Sequence, residues 1–481
     1  MKKTLSIIVI TLCMLCMFTS VIKADTSDAI VSPRGLAPYS ITATVYISEK
    51  GEYGISWHTK DKSLEPVIQI TKEKGSFDES LTVVSEIAAS EHNGYYAYKG
   101  IVTDLEPSTR YYYRVGDKAT SVFSESRSFV TSSPESDSFT FFHMTDTQGG
   151  YSNWKKVLMS AMSLYDAQLL VHTGDLVDNG AEESDWKAAF KATEEQLGSL
   201  LISSVAGSYH ESNGTELYEN FNFYVPNDQD VNHGIYYSYD YNNVHFTMLD
   251  VNDYSEETGN FSDAQIKWLK NDLKKTDKQW KVVGMHWGIY TAGPRYFTQE
   301  SANLRKNLEP IFDKYNVDLV LFGHDHVYTR TYPIKNGKVI EKPQTIEDQI
   351  NGVDTTFDLN TGGTVYLLSN TAGNKFYDLS LSDESIKYIA EYDQSYTPMF
   401  SAITVEGNKL MINAYIVDTE TGEAMLFDTY AMMKTQVAKS FIQQYLLYII
   451  IGACIVVAAG TVVIILFYKK KAKEKAENAQ K

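Results

Sequence analysis

The clearest pattern along the chain is a series of short, almost wholly apolar runs at 138–144, 168–172, 201–206, 280–285 and 317–322. They read as buried strands of an α/β sheet. Each run also finishes in Gly, Asp or His: Asp146, Gly174-Asp175, Gly207 with His210 and Glu211, His286, and Gly323-His324-Asp325-His326. A helical stretch at 154–165 separates the first two runs. The resulting β-α-β unit predicts adjacent parallel strands that bring Asp146 and Asp175 to one sheet edge. Open α/β sheets bind ligands at that edge, the carboxyl ends of the strands. His324 and His326, two positions apart, are predicted to share a face.

The segment 36–132 has a different rhythm. Short strands at 41–47, 53–58, 66–71, 95–102, 110–115 and 126–130, with turn residues between them, predict a β-sandwich. It gathers no convergent His, Asp or Glu, which makes it a spacer or docking domain. A polar stretch at 131–137 leads into the second domain, 137–435, whose last strands are expected at 400–405 and 409–417.

The two ends are apolar for other reasons. Residues 1–24 pair Lys2 and Lys3 with an apolar run and a small residue at Ala24, the form of a signal peptide. Residues 445–468 carry no charge; as a helix they would extend about 36 Å, enough for a hydrocarbon core of about 30 Å. Lys469, Lys470 and Lys471 open a basic tail, 469–481, that the positive-inside rule places in the cytoplasm. The chain is thus expected to be an extracellular domain on a single-pass membrane anchor. Cys13, Cys16 and Cys454 all fall in these terminal segments, so the exported part has no disulfide or thiolate ligand. Such domains are common on bacteria lacking an outer membrane.

Charge changes the picture once more. The chain holds 43 Lys and Arg against 61 Asp and Glu; without its two ends the balance is about −25, which argues against nucleic-acid binding. An anionic substrate would need local cations. Carboxylate and imidazole donors from separate strands suit a pair of metal ions, which polarise a phosphoryl oxygen and lower the pKa of bound water. Other histidines have plainer roles. His143 and His172 lie within buried strands and are expected to bond backbone; His58, His92, His233 and His245 have no recognisable acidic partners. Arg295 is open to two readings, a phosphate contact or a surface salt bridge.

The order Asp146, Gly174-Asp175, Gly207-Ser-Tyr-His-Glu211, Val283-Gly-Met-His286 and Gly323-His-Asp-His326 resembles the calcineurin-like metallophosphoesterases. The N-terminal sandwich, with a Pro-Ser-Thr-Arg-Tyr-Tyr-Tyr stretch like that of fibronectin type III domains, narrows this to the purple acid phosphatase-like branch, as do Val327-Tyr-Thr-Arg-Thr-Tyr-Pro333 and Gly363-Thr-Val-Tyr-Leu367. The resemblance implies an αββα sandwich of two mixed sheets and two divalent or trivalent ions, Fe, Mn or Zn. It implies Asp175 as the bridging ligand, Asp146 and His326 on the first metal, and His286 and His324 on the second. His210 would meet the phosphate or leaving group. Gln148 stands where the family often has a ligating His, and Asp178 where purple enzymes have a metal-binding Tyr. The family's Gly-Asn-His-Glu reads Gly-Ser-Tyr-His-Glu here, with Tyr209 in the place of the Asn and one residue inserted; Ser208, Tyr209 or water would then fill the ligand position. The implied activity is hydrolysis of phosphate mono- or diesters; the alternative is an impaired relative that keeps the fold as a binding or scaffolding module.

Overall fold

A computed structural model of the chain describes residues 33–77, 87–92, 94–133, 138–212, 216–226, 229, 234–435, 461 and 464–472. The N-terminal module is a sandwich of two four-stranded sheets. One runs Tyr39–Ile47, Glu52–Thr59, Tyr95–Val102, Ala88–His92; the other pairs Arg110–Asp117 with Pro66–Thr71, Val122–Phe123 and Arg127–Val130. Its core is aromatic: Trp57 stacks on Tyr98 at 5.2 Å, and Tyr53 packs against Phe129 at 5.0 Å. Six strands were expected, and eight form among the described residues.

Two further sheets make up the α/β domain. The first runs Leu201–Ser204, Leu169–His172, Ser138–Met144, Met399–Glu406, Lys409–Val417, Ala424–Met433. Its first three strands are parallel, with Leu169 opposite both Phe141 and Leu201, as the β-α-β pattern requires. The second runs Tyr237–Tyr241, Val244–Met248, Trp280–Trp287, Leu319–Gly323, Val365–Ser369, Tyr328–Thr331, Ile389–Asp393. The five apolar runs therefore divide three and two between facing sheets. Phe141 of one sheet meets Phe246 of the other edge-on at 5.2 Å.

Helices cover the outer faces. In Asp263–Lys275, Ile266, Leu269 and Leu273 repeat at helical spacing and pack with Val283 and Val320 of the second sheet. Ser262 caps this helix by accepting from the Gln265 amide. The helix Gln299–Tyr315 is capped the same way by Thr298 and stops at Asn316, which is left-handed (φ 53°). On the first sheet lies Tyr151–Leu164, which buries Trp154, Val157 and Leu158.

The N-terminal module does more than space. Thr42 and Ser56 each donate a side-chain hydrogen bond to the Asn220 carbonyl, at 2.6 and 2.7 Å, and Thr44 donates to that of Asn222 at 2.7 Å. The segment after His210 and Glu211 is thereby fastened to the first sheet of the sandwich. A second compact unit comprises 343–361, 408–410 and the described residues from 431 onward; in it the hairpin Gln344–Ile350/Val353–Leu359 pairs Asp358 and Leu359 with Met432 and Met433. Among the described residues no helix is long and apolar enough to cross a membrane. The expected signal segment 1–24, most of the expected span 445–468, most of the basic tail and His233 lie outside the described residues.

Candidate metal centre

The strand ends converge on two sets of donors. Asp175, His286 and His324 form one, and Asp146, Asp175 and His326 the other, so Asp175 belongs to both. Asp146 is fully buried and Asp175 nearly so. The backbone is left-handed at Asp146, Asp175, His324 and His326, with φ of 56°, 52°, 76° and 44°. For residues with a Cβ this costs about 1 kcal/mol each, strain of the kind found at functional sites. It also corrects the expectation for the two histidines. Left-handed turns at both break the two-residue alternation, and His324 and His326 go to different sets.

Fixed second contacts orient the rings. His286 Nδ1 donates to the Thr173 carbonyl at 2.8 Å, and His326 Nδ1 to that of Lys375 at 2.6 Å, so each presents Nε2 to the centre. His286 Nε2 lies 3.3 Å from Asp175 Oδ1, and His326 Nε2 lies 3.0 Å from Asp146 Oδ1. The main-chain amide of His324 and the hydroxyl of Thr145 hold Asp146 Oδ2, at 2.9 and 2.8 Å. Asp325, between the two histidines, turns away: buried, it accepts from Thr291 Oγ1 and the Arg295 amide and anchors the loop.

Ser208, not Tyr209, faces the centre. Its Oγ lies 3.3 Å from both His286 Nε2 and His324 Nδ1, and its amide donates to Asp175 Oδ1 at 2.6 Å. Tyr209 is 63% exposed. The loop absorbs the inserted residue by sending Tyr209 outward. Gln148 is buried; its Nε2 donates to Asp175 Oδ2 at 3.1 Å, and its Oε1 has no hydrogen-bond partner. Asp178 is exposed.

Glu211 is the hidden keystone of this loop. Its Oε1 accepts from the Leu176 and Val177 amides at 2.5 and 3.2 Å, and its Oε2 from those of Asp175 and Gly207 at 2.9 and 2.5 Å. Burial and the nearby Asp175 push its carboxyl up, to about 7, against those four donors. His210, at the rim and 41% exposed, sits 3.3 Å from Asp175 Oδ2, and this hydrogen bond raises its pKa.

The electrostatics suit a cation. Burial raises the pKa of both carboxyls, yet His326 beside Asp146 and His286 beside Asp175 more than reverse it and leave both lowered. Burial pulls His286 down, but Asp175 and Asp146 overcome it and hold the imidazole at about 9. Burial, then His286 and Arg295, lower His324 to about 3, which keeps its ring neutral and its lone pair available. The Arg295 amide is held by Asp325, and among the described residues its side chain forms no salt bridge. The donor spacings fit metal ligation. Adjacent ligands about 2.0–2.1 Å from a tetrahedral ion stand about 3.3 Å apart, and around an octahedral ion about 3.0 Å. The unpartnered Gln148 Oε1 is a buried acceptor that a cation would satisfy.

Among the described residues the other histidines are structural, with corrections. His143 bonds two hydroxyls, Ser369 Oγ at 2.7 Å and Thr173 Oγ1 at 2.9 Å, and His172 Nε2 meets a hydroxyl, Thr147 Oγ1, at 3.2 Å. His245 does have acidic partners, Asp240 at 2.6 Å and Asp272 at 2.9 Å, and His92 Nε2 lies 3.9 Å from Glu219 Oε1.

Comparison with known proteins agrees with this geometry. Residues 139–328 match the calcineurin-like phosphoesterase family, and residues 38–131 match the purple acid phosphatase N-terminal domain. Purple acid phosphatase 23 of Arabidopsis thaliana is 27% identical over 410 residues, covering 76% of this chain and 80% of the relative. Human acid phosphatase type 7 is 27% identical over 228 residues, 44% of this chain and 48% of its own length. Among solved structures, purple acid phosphatase PPD1 from yellow lupin superposes with a TM-score of 0.66 at 15% identity, over 83% of this chain and 75% of its own. The structure of PhoD gives 0.57 at 13% identity, over 83% and 91%; at such identities both likenesses concern the fold. With both domain matches in their expected order and Asp175 shared by two donor sets, the chain carries a calcineurin-like phosphoesterase domain behind a purple acid phosphatase N-terminal domain, and its purple acid phosphatase homologues and fold indicate a phosphoric ester hydrolase.

Proposed function

We propose that this chain is a cell-surface phosphatase that hydrolyses phosphate mono- or diesters at a dinuclear metal centre. The observation that carries the reading is the position of Asp175, whose carboxylate is common to both donor sets. Asp146, Gln148 and His326 would complete one site, and His286, His324 and Ser208 the other. When bound, two cations supply the positive charge that holds a phosphoryl oxygen and the acidity that makes water a nucleophile at neutral pH. The chain's own groups do the rest. His210, its proton retained by Asp175, is placed at the rim to donate from its ring to the leaving-group oxygen. Arg295, on the loop held by Asp325, would offer a second positive group for a phosphate oxygen. Thr173 and Lys375 fix the imidazoles through their carbonyls, so the donors are in place before substrate arrives.

Anchoring rests on sequence: a signal-like segment at 1–24 and an uncharged stretch at 445–468 followed by lysines. Protease added to intact cells should release a large active fragment, and complete protection would oppose that topology. Function is tested by measuring metal content together with hydrolysis of p-nitrophenyl phosphate and bis-p-nitrophenyl phosphate. Asp175→Asn should lose at least one metal and nearly all turnover, because a neutral amide cannot offset two cations. A folded wild-type protein that takes up no metal and hydrolyses neither ester would favour the binding-module alternative.

A further inference from the structure

Where the N-terminal module meets the α/β domain there is a cavity of about 350 Å³ that shares no residue with the metal centre. Its cationic lining reverses the sign of the chain as a whole, whose net charge is −18. Arg34 and Lys60 reach it from the sandwich, and Lys187 and Lys191 from the helix Glu183–Ala192. None of these four has a carboxylate within salt-bridge distance among the described residues. The one acid on its lining, Glu194, pairs with buried Arg127 at 3.0 Å. Four unneutralised cations around one small cavity repel one another, and an anion would relieve that repulsion.

Two other features make this a built site rather than a chance charge cluster. Ser40, which lines the cavity, is 5% exposed, and its hydroxyl has no hydrogen-bond partner. A buried hydroxyl left without a partner costs about 1–3 kcal/mol unless a ligand supplies one. The floor is apolar, with Ile41, Phe190 and Leu197 all under 10% exposed, and Tyr39 lies beneath the Lys187 ammonium at 3.9 Å. The volume falls within the range of small-molecule pockets, about 300–1,000 Å³.

We propose that this cavity is a second ligand site, separate from the metal centre, for a small organic anion of the phosphate or phosphonate class. The charged group lies among the lysines and Arg34 with a hydrogen bond to Ser40, and a compact apolar or aromatic part rests on the Ile41–Phe190–Leu197 floor. Binding is tested by calorimetric titration of the full, chelator-treated chain with phenylphosphonate, whose P–C bond a phosphoesterase does not cleave. One saturable site is expected. Its affinity falls at least tenfold in Lys187→Glu/Lys191→Glu and severalfold in Ser40→Ala, and is unchanged in Asp175→Asn. A thermal melt of each variant checks folding, and Lys60→Ser, at an exposed position, serves if the double variant is unstable. The proposal is overturned by absence of saturable binding, or by binding that Asp175→Asn abolishes while the lysine variants do not alter it. Equal affinity for inorganic phosphate or long-chain polyphosphate also overturns it, since neither uses the apolar floor.

Discussion

Glu211→Gln is the substitution that reaches furthest into the centre without replacing a proposed ligand. The carboxylate accepts two backbone amides on each oxygen, drawn from 175–177 and from Gly207. A glutamine keeps the shape but turns one oxygen into an NH₂ group, which must then face two N–H donors. Each buried donor stripped of its acceptor costs about 1–3 kcal/mol, so the pair amounts to about 2–6 kcal/mol. Against a total stability of about 5–15 kcal/mol for a typical domain, that is a large share. The loss falls on the amides of Asp175 and its neighbours, so the bridging carboxylate should shift along with overall stability. The assay is urea unfolding at pH 8, where the Glu211 carboxyl, raised to about 7, is mostly ionised, combined with metal analysis. We expect a destabilisation of at least about 2 kcal/mol and lower metal content. Wild-type unfolding and metal content in Glu211→Gln at pH 8 would refute the reasoning, because four amides cannot all be satisfied by one amide oxygen.

Other substitutions follow from the same geometry. Ser208→Asn, which restores an amide where the Ser208 hydroxyl lies 3.3 Å from two imidazoles, should tighten the second metal severalfold in a chelator competition, whereas Tyr209→Ala should alter activity less than twofold. Gly323→Ala would place a Cβ 2.1 Å from Thr145 Oγ1 and 2.7 Å from Asp146 Oδ2; overpacking of this kind costs about 1–3 kcal/mol, and metal content should fall with it. Burial opposes charge on His245, but Asp240 and Asp272 raise it to about 9. Against an unfolded value of about 6.5 that is worth about 3 kcal/mol, fully present below pH 6.5 and lost as pH rises through 9. His245→Gln should therefore differ from wild type in urea midpoint at pH 6 and much less at pH 10.

The buried strands were legible almost to the residue, since a short, mostly apolar run is buried most readily in a strand: 138–144, 66–71, 95–102 and 409–417 all coincide with observed strands. Exposed, polar strands were not. Ala88–His92 and Gln344–Ile350 are mostly exposed and polar, and backbone pairing alone makes them strands. The donor residues were visible because they sit at strand ends, and the family resemblance divided them as the structure does; the strand pattern alone could not, since φ at His324 and His326 cannot be inferred from His-x-His. The choice between Ser208 and Tyr209 turned on where a loop accommodates an extra residue, which burial decides. Glu211 carried a sequence signal in its motif, but its four amide partners are backbone groups. The Lys375 carbonyl left no trace, because any residue could provide it.

The hydroxyls of Thr42, Thr44 and Ser56 bear on how the chain could be divided or inherited. The carbonyls they satisfy belong to the stretch that follows the metal-centre loop. An α/β domain produced alone, from residue 138 onward, would expose that stretch and leave its hydrogen bonds to water or to nothing. A nick between residues 133 and 138 should therefore leave an active, associated pair of fragments, while deletion of everything before it should leave a protein that aggregates or binds metal poorly. Loss of the sandwich would then be no gradual simplification of the enzyme. The module and the chemistry would be gained and lost together.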